Sequence, residues 1–198
     1  MKKILLGLFL VSSVLAFSAR VVKSTETVVK ENIVYIGQEK APYTGIVESY
    51  GDNGVLAGKA EFKDGKMNGA SKIYYPNGKL ASEASFKDNI QVGVQKDYYK
   101  SGKLRWSGFF KNGKREGSAK SFYENGNVEF EENHVNGLQN GIIKEYYENG
   151  KIKREISHKN GVVDGISKLY YPNGKVQNES THKKGVPDGV SKTYYENG

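Results

Sequence analysis

The chain contains, at residues 141–151, the stretch GIIKEYYENGK, and closely similar stretches occupy residues 69–79 (GASKIYYPNGK) and 165–175 (GISKLYYPNGK). The glycine that opens each stretch belongs to a series with a constant spacing of 24 residues. The series consists of Gly45, Gly69, Gly93, Gly117, Gly141, Gly165 and Gly189. A fixed period of this length predicts a repeat architecture, in which each unit buries its apolar side against its neighbours.

Each unit is predicted to be a β-hairpin. With the leading glycine counted as unit position 0, positions 8 and 9 are Asn-Gly in six units, as in Asn77-Gly78, and Ser101-Gly102 in the third. Asn-Gly between strand-like runs is the strongest short hairpin signal, because a type I′ turn needs positive φ at both central residues. We therefore expect a two-residue type I′ turn here, with position 6 opposite 11, 5 opposite 12 and 3 opposite 14.

The charges along the chain support this register. Position 3 is Lys and position 14 is Glu in four units, whose pairs are Lys72 with Glu83, Lys120 with Glu131, Lys144 with Glu155, and Lys168 with Glu179. In the first unit both signs reverse together, giving Glu48 and Lys59, while in the third Lys96 meets Ser107. A matched reversal is what directly opposed residues on neighbouring strands would show.

The predicted fold is all-β: an elongated, single-sheet antiparallel meander of 24-residue β-hairpin repeats over residues 45–198, with six full repeats and a half repeat. Strand alternation assigns positions 6, 11 and 17 to an apolar face and positions 1, 3, 5, 12 and 14 to the other face. Residues 19–44 form an N-terminal segment. Within it, residues 28–43 are expected to supply strands that cap the first hairpin, and residues 19–27 to be loosely held.

The first residues have the pattern of a targeting segment. Lys2 and Lys3 precede an apolar run over residues 4–17, and Ala16 and Ser18 are small residues suited to signal-peptidase cleavage after Ser18. Residues 1–18 are therefore predicted to be a cleaved signal peptide, and the protein to be exported to the periplasm, the outer envelope or the medium. The chain has no cysteine, which excludes disulfides, thiolate metal sites and a lipoprotein anchor.

Candidate chemistry is sparse. The three histidines share position 17, where a metal-binding or pH-sensing ladder would be one interpretation. The other is an apolar shelf, since Phe occupies the same position in the earlier units, and equivalent positions are about 10 Å apart, too far to share one ion. We favour the apolar interpretation and therefore expect no metal, no cofactor and no catalytic residues. Destabilisation of the C-terminal half when these histidines are protonated is left open. The three histidines at position 17 are His134, His158 and His182, and the phenylalanines at this position in the earlier units are Phe62, Phe86 and Phe110.

Four aromatic residues break the regular pattern midway along the array: Trp106, Phe109 and Phe110 in the third unit and Phe130 in the fourth. Alternation places Trp106, Phe110 and Phe130 on the apolar face. They form either a local thickening of the core or a partner-binding site, because Trp and other aromatic residues are enriched at binding hot spots. The four are our candidate partner-binding residues.

The recurring unit resembles the variant MORN (membrane occupation and recognition nexus) repeat of bacterial proteins, and residues 41–45 (APYTG) are similar to the start of such arrays. The resemblance implies a protein- or phospholipid-binding scaffold. Some family members are filed as antitoxins, and others carry a phosphatidylinositol-phosphate kinase label because their repeats accompany a kinase domain. Nothing outside the repeats of this chain resembles a kinase domain, and no Gly-rich phosphate loop is found.

The sequence therefore predicts an exported, non-enzymatic interaction scaffold. Its leading partner is another protein, and an anionic membrane surface comes second, supported by a net charge of +8. The alternative function is an antitoxin-like binder that neutralises a toxin protein. A nucleic-acid partner is not expected, because export separates the chain from nucleic acid and its charges are interspersed.

Overall fold

Short β-strands joined by tight turns make up nearly all the regular structure of residues 20–197, which are the residues described by this computed structural model. The predicted signal peptide, residues 1–18, lies outside the described residues. The strands are β1 (Val21–Lys23), β2 (Thr27–Lys30), β3 (Ile33–Ile36), β4 (Gly45–Tyr50), β5 (Leu56–Lys63), β6 (Lys66–Tyr74), β7 (Leu80–Lys87), β8 (Ile90–Tyr98), β9 (Leu104–Lys111), β10 (Lys114–Phe122), β11 (Val128–Val135), β12 (Leu138–Gln139), β13 (Gly141–Tyr146), β14 (Ile152–Lys159), β15 (Val162–Tyr170), β16 (Val176–Lys183), β17 (Val186–Pro187) and β18 (Lys192–Thr193). A 3₁₀ turn, Ser24–Glu26, joins β1 to β2. Over these residues no helix has the length and apolar character needed to cross a membrane.

One long sheet of sixteen strands follows the chain order. It begins with β1, which is parallel to β4, and continues through β4 to β11 and β13 to β17 as antiparallel neighbours; β12 pairs with β11, and β18 with β16. Strands β2 and β3 form a separate hairpin. The predicted all-β meander of hairpins is confirmed.

The register inferred from charge is also confirmed. Position 3 faces position 14 in each full unit, including the reversed pair Glu48–Lys59 and the pair Lys96–Ser107. The ammonium nitrogen of Lys120 lies 2.6 Å from a carboxylate oxygen of Glu131. Cross-strand pairs of this kind each contribute about 0.2–1 kcal/mol.

The turn at positions 8 and 9 differs from the prediction. In the second unit the amide of Gly78 donates to the carbonyl of Tyr75 over 2.8 Å, and the amide of Tyr75 donates to the carbonyl of Lys79 over 2.8 Å. Gly78 has a φ of +79°, whereas Asn77 keeps a negative φ. This is a three-residue loop that ends in a left-handed glycine and a β-bulge, so the predicted type I′ turn is wrong at this place.

The bulge changes which residues face each other near the turn. Ile73 faces Ser82 as expected, but Tyr74 faces Leu80, so position 5 lies opposite 11 rather than 12. Side chains at position 12 then point to the opposite face from the one predicted: Arg105 lies 3.7 Å from Asp97 at position 4. The face assignments of positions 11 and 12 are therefore exchanged.

The type I′ turn lies at the other connection, at positions 19 and 20. In the fifth unit Lys159 faces Val162, and the two residues between them, Asn160 and Gly161, have φ of +52° and +81°. In this unit the sequence carries the signal as a second Asn-Gly pair, Asn160-Gly161. The same turn recurs at residues 64–65, 88–89, 112–113, 136–137 and 184–185.

The leading glycines of the series sit in a second bulge. In β6, the three residues from Asn68 to Ala70 face the single residue Glu61 of β5, and Gly69 in their middle has a φ of +121°. A left-handed backbone at this point suits glycine, because it has no Cβ. Similar register shifts recur around Gly93, Gly117 and Gly165, so at these units the 24-residue glycine period marks a bulge.

Buried side chains concentrate at the start of the array. Val22, Val34, Ile36 and Tyr43 form a cluster against which Phe62 of the first unit packs. The Tyr43 hydroxyl lies within hydrogen-bonding distance of the carbonyl oxygen of the residue before β1. The expectation of a loosely held segment is thus wrong for residues 21–27, which contain β1 and the 3₁₀ turn.

The two turn types predict opposite responses to the same substitutions. At Asn160, Gly should give a free energy of unfolding about 1–2 kcal/mol higher than Ala, because Ala is strained at positive φ. At Asn149, position 8 of the same unit, Ala should be the more stable by about 0.4–1 kcal/mol, because Gly gains more freedom in the unfolded chain. Each comparison removes the Asn side chain in both variants, and urea unfolding measures it. A preference for Gly at residue 149 would contradict the assigned turn.

Candidate functional site

The four aromatic residues singled out from the sequence are divided between the two faces of the sheet. Trp106 and Phe110, both on β9, are in edge-to-face contact with ring centroids 6.2 Å apart. Phe130 on β11 faces Ser121, which also faces Trp106, so Phe130 shares their face but is separated from them by β10. Phe109 points to the opposite face, where it lies across from Val94 and is 44% exposed.

The indole of Trp106 is held flat against its own strand. A Cβ placed on Gly108 would lie 2.5 Å from the ring, so only glycine leaves room for it in this position. The guanidinium of Arg115 lies 5.2 Å from the ring centroid, in cation–π range, and its Nη1 is 3.1 Å from a carboxylate oxygen of Glu132. Trp106 is therefore fixed in place before any ligand arrives.

An open cavity of about 340 Å³ lies around this indole. It combines aromatic surface with charged and amide groups, a mixture typical of binding sites. The lining residues are Gln95, Asp97, Tyr99, Arg105, Trp106, Phe110, Arg115, Ser121 and Glu129.

The polar groups of the cavity are connected to one another. Asp97 accepts hydrogen bonds from Ser82 Oγ over 2.7 Å and from Gln95 Nε2 over 3.0 Å. Ser121 Oγ donates to Glu129 over 3.2 Å. These contacts orient the carboxylates, while the Arg105 side chain, 3.7 Å from Asp97, is 52% exposed and accessible to a ligand. The arrangement supports recognition of a ligand that has both apolar and polar groups.

Sequence reasoning missed the charged part of this site. Arg105 and Glu129 both occupy position 12, which the predicted type I′ turn assigned to the other face. The bulge brings them beside Trp106. The signal was in the sequence only indirectly, because in the fourth and fifth units both connections contain Asn-Gly and this pair does not tell the two turn types apart.

On the opposite face, tyrosine hydroxyls bond to the paired glutamates. Tyr98 donates to Glu83 over 2.7 Å, and the same contact recurs two and three units further along for Tyr146 and Tyr170. Burial and, second to it, the hydrogen bond to the glutamate carboxylate raise the pKa of each of these three tyrosines to about 12. The hydrogen bond from Lys120 is the main reason why the pKa of Glu131 is lowered. These glutamates are therefore structural partners of Lys and Tyr.

The histidines lie on the cavity face at position 17. His134 is buried, its Nε2 is 3.8 Å from Glu132, and its Nδ1 has no hydrogen-bond partner among the described residues. Nδ1 of His158 lies 3.2 Å from the carbonyl of Ile156. Within residues 20–197, no cluster of three or more His, Cys, Asp or Glu side chains is placed to hold a metal ion. Destabilisation of the C-terminal half when the histidines are protonated stays a prediction.

Comparison with known families agrees with this geometry. The family described as MORN repeat variant matches seven segments: residues 43–64, 67–88, 91–112, 115–136, 139–160, 163–184 and 187–198. The chain belongs to the MORN repeat variant family, whose repeats are non-catalytic and generally interact with proteins or membranes. No curated protein matches the chain.

The tyrosine–glutamate contacts predict a distinct alkaline titration. Because the pKa of Tyr98, Tyr146 and Tyr170 is raised to about 12 from 10.0, folding favours the protonated hydroxyl. The stabilisation is complete below pH 10 and is lost as the pH rises through about 12. Tyrosinate absorbance of Glu131→Gln should show one tyrosine ionising closer to pH 10 than in the native chain. The matched control, Glu31→Gln, should titrate like the native chain, and an unchanged Glu131→Gln titration would contradict the assignment.

Proposed function

We propose that this protein is an exported, non-catalytic scaffold that binds a protein partner through the cavity around Trp106. The observation that carries the proposal is the local break in an otherwise regular array. Position 13 holds Gly58 and Ser82 in the two preceding units, and in the third it holds the chain's single tryptophan. A local departure of this kind can confine a binding site to one unit, because identical units present identical surfaces.

Several physical features support partner binding at this place. Tryptophan and arginine are the residues most enriched at interface hot spots, and here Trp106 lies between Arg105 and Arg115 in one cavity. The indole is held by Gly108 and Phe110, so binding would restrict little further side-chain motion. Arg105 can contribute a directed ion pair to a partner carboxylate.

Export is part of the proposal and rests on residues 1–18 alone. A chain without cysteine is indifferent to the oxidising conditions outside the cytoplasm. A toxin is one class of protein partner that such a scaffold could neutralise, and it would then have to meet the chain outside the cytoplasm.

The test uses a variant designed to keep the fold. Trp106→Ser combined with Gly108→Ala reproduces Ser82 and Ala84, which occupy the same positions of the second unit. Affinity capture from a native envelope extract with the purified chain, followed by mass spectrometry, should yield one stoichiometric protein that the double variant no longer retains. Ile73→Ser, three strands away on the same face, is the matched control and should retain it.

Thermal melting of both variants accompanies the capture. A double variant that melts like the native chain and still captures the same protein would overturn the assignment of the site to Trp106.

A further inference from the structure

The face opposite the Trp106 cavity carries a row of exposed apolar side chains. Besides Val162, which is 44% exposed, six of them, between 44% and 54% exposed, lie on β8 to β15 near the type I′ turns. We call these six the apolar stripe: Ile90, Val94, Phe109, Leu138, Ile142 and Ile166. All occupy positions 1, 16 or 21, which alternation and register place on one face. On the cavity face, Ile73 is a comparably exposed apolar side chain, at 55%.

The apolar stripe has two segments, on β8 and β9 and on β12 to β15, and between them Ser118 of β10 faces Asn133 of β11. Leu138 reaches over the next type I′ turn, where a Cβ built on Gly161 would lie 3.3 Å from it, and Val94 and Phe109 face each other across β8 and β9. Half-exposed side chains of this kind leave roughly 30–60 Å² of apolar area each, or roughly 200–350 Å² for the six. The total approaches the lower end of the roughly 300–600 Å² of the largest apolar patch on a typical monomer, and such patches are often functional.

Lysines without acidic partners border the apolar stripe. Lys111 and Lys114 face each other directly across a hairpin, as do Lys63 and Lys66. All four side chains are exposed, and none makes an ion pair with the described residues. Like charges placed directly opposite are destabilising, so carboxylates from a partner would relieve the repulsion.

The sheet face also restricts the conformation of what binds. Its backbone groups are already paired within the sheet, so an extended segment lying on the apolar stripe would leave its own amides and carbonyls without partners. An α-helix satisfies these groups internally. The units are spaced by two strands, about 9.6 Å, and one heptad of helix rises about 10.5 Å, so a helix running along the array presents equivalent residues to successive units.

We propose that the apolar stripe is a second interaction surface, which binds an amphipathic helix of a partner protein with carboxylates along one flank. The apolar side of the helix covers Val94, Phe109 and Ile142, and its acidic flank lies over Lys111 and Lys114. Membrane insertion fits less well. It would bury apolar side chains about 5–10 Å into the lipid headgroups, whereas the stripe residues lie half-covered in the sheet beside longer Lys side chains.

A defined probe tests this surface on the full chain. The probe is a fluorescein-labelled 28-residue peptide, about 42 Å long as a helix, with Leu at heptad positions a and d and Glu at every e position. A matched peptide carries Lys at every e position. Fluorescence anisotropy should show saturable binding of the Glu peptide and at least tenfold weaker binding of the Lys peptide. Equal binding of the two peptides, or no binding of either, would overturn the proposal.

Protein variants locate the binding. Ile142→Glu combined with Ile166→Glu should raise the Kd of the Glu peptide at least tenfold, whereas Ile73→Glu, an equally exposed residue on the cavity face, should leave it unchanged. The variant of Trp106 and Gly108 should bind the peptide like the native chain, which separates this surface from the cavity. Loss of peptide binding in that variant would contradict a second surface.

Two further measurements cover the other occupants of such a surface. Cosedimentation with phosphatidylserine–phosphatidylcholine vesicles that depends on Ile142 and Ile166, without peptide binding, would replace the proposal by membrane association. A dimer in sedimentation velocity that the same double variant dissociates would assign the stripe to a second copy of this chain. A monomer that binds the Glu peptide and leaves the vesicles in solution supports the proposal.

Discussion

The array depends on a hydrogen bond that joins each unit, from the second onward, to the next one. The tyrosine at position 6 donates its hydroxyl to the main-chain carbonyl at position 5 of the following unit, over 2.6 to 2.9 Å. The donors are Tyr75, Tyr99, Tyr123, Tyr147 and Tyr171. Among the described residues few side chains are buried, so a bond repeated at five successive junctions matters more here than in a compact domain. Removing one such donor would leave a carbonyl unpaired, which costs about 1–3 kcal/mol.

The rest of the recurring motif serves the same junction. The side-chain amide of Asn125 at position 8 donates to the carbonyl of Glu148 in the next unit over 3.1 Å, while its oxygen accepts from the amide of Asn127 in its own turn. Lys151 at position 10 donates to the carbonyl of Asn173 over 3.0 Å. The turns of successive units are thus tied together by side chains that each turn presents in the same geometry. This constraint explains why Tyr, Asn, Gly and Lys recur together.

The sequence predicts the period, the meander and the position 3–14 register, because each rests on a pattern repeated along the chain. It does not separate the two Asn-Gly connections, since a type I′ turn and a three-residue loop with a bulge differ by one residue. This difference of one residue decides which face of the sheet the side chain at position 12 occupies. For this reason the sequence alone could not place Arg105 and Glu129 beside Trp106. The sequence does not predict the apolar stripe, for another reason. Strand alternation assigns Val94 and Ile142 to the correct face, but their exposure depends on how little their neighbours cover them.

Amide hydrogen exchange in Tyr123→Phe tests the role of the junction most directly. The substitution removes one hydroxyl, which donates to the carbonyl of Tyr146 over 2.6 Å, and leaves the ring in place. If these bonds hold the units together, peptides covering the turns at residues 123–127 and 147–151 should exchange faster than in the native chain, while the cap at residues 20–43 stays protected. Exchange identical to that of the native chain at both turns would show that the backbone sheet alone carries the array, and would contradict this account.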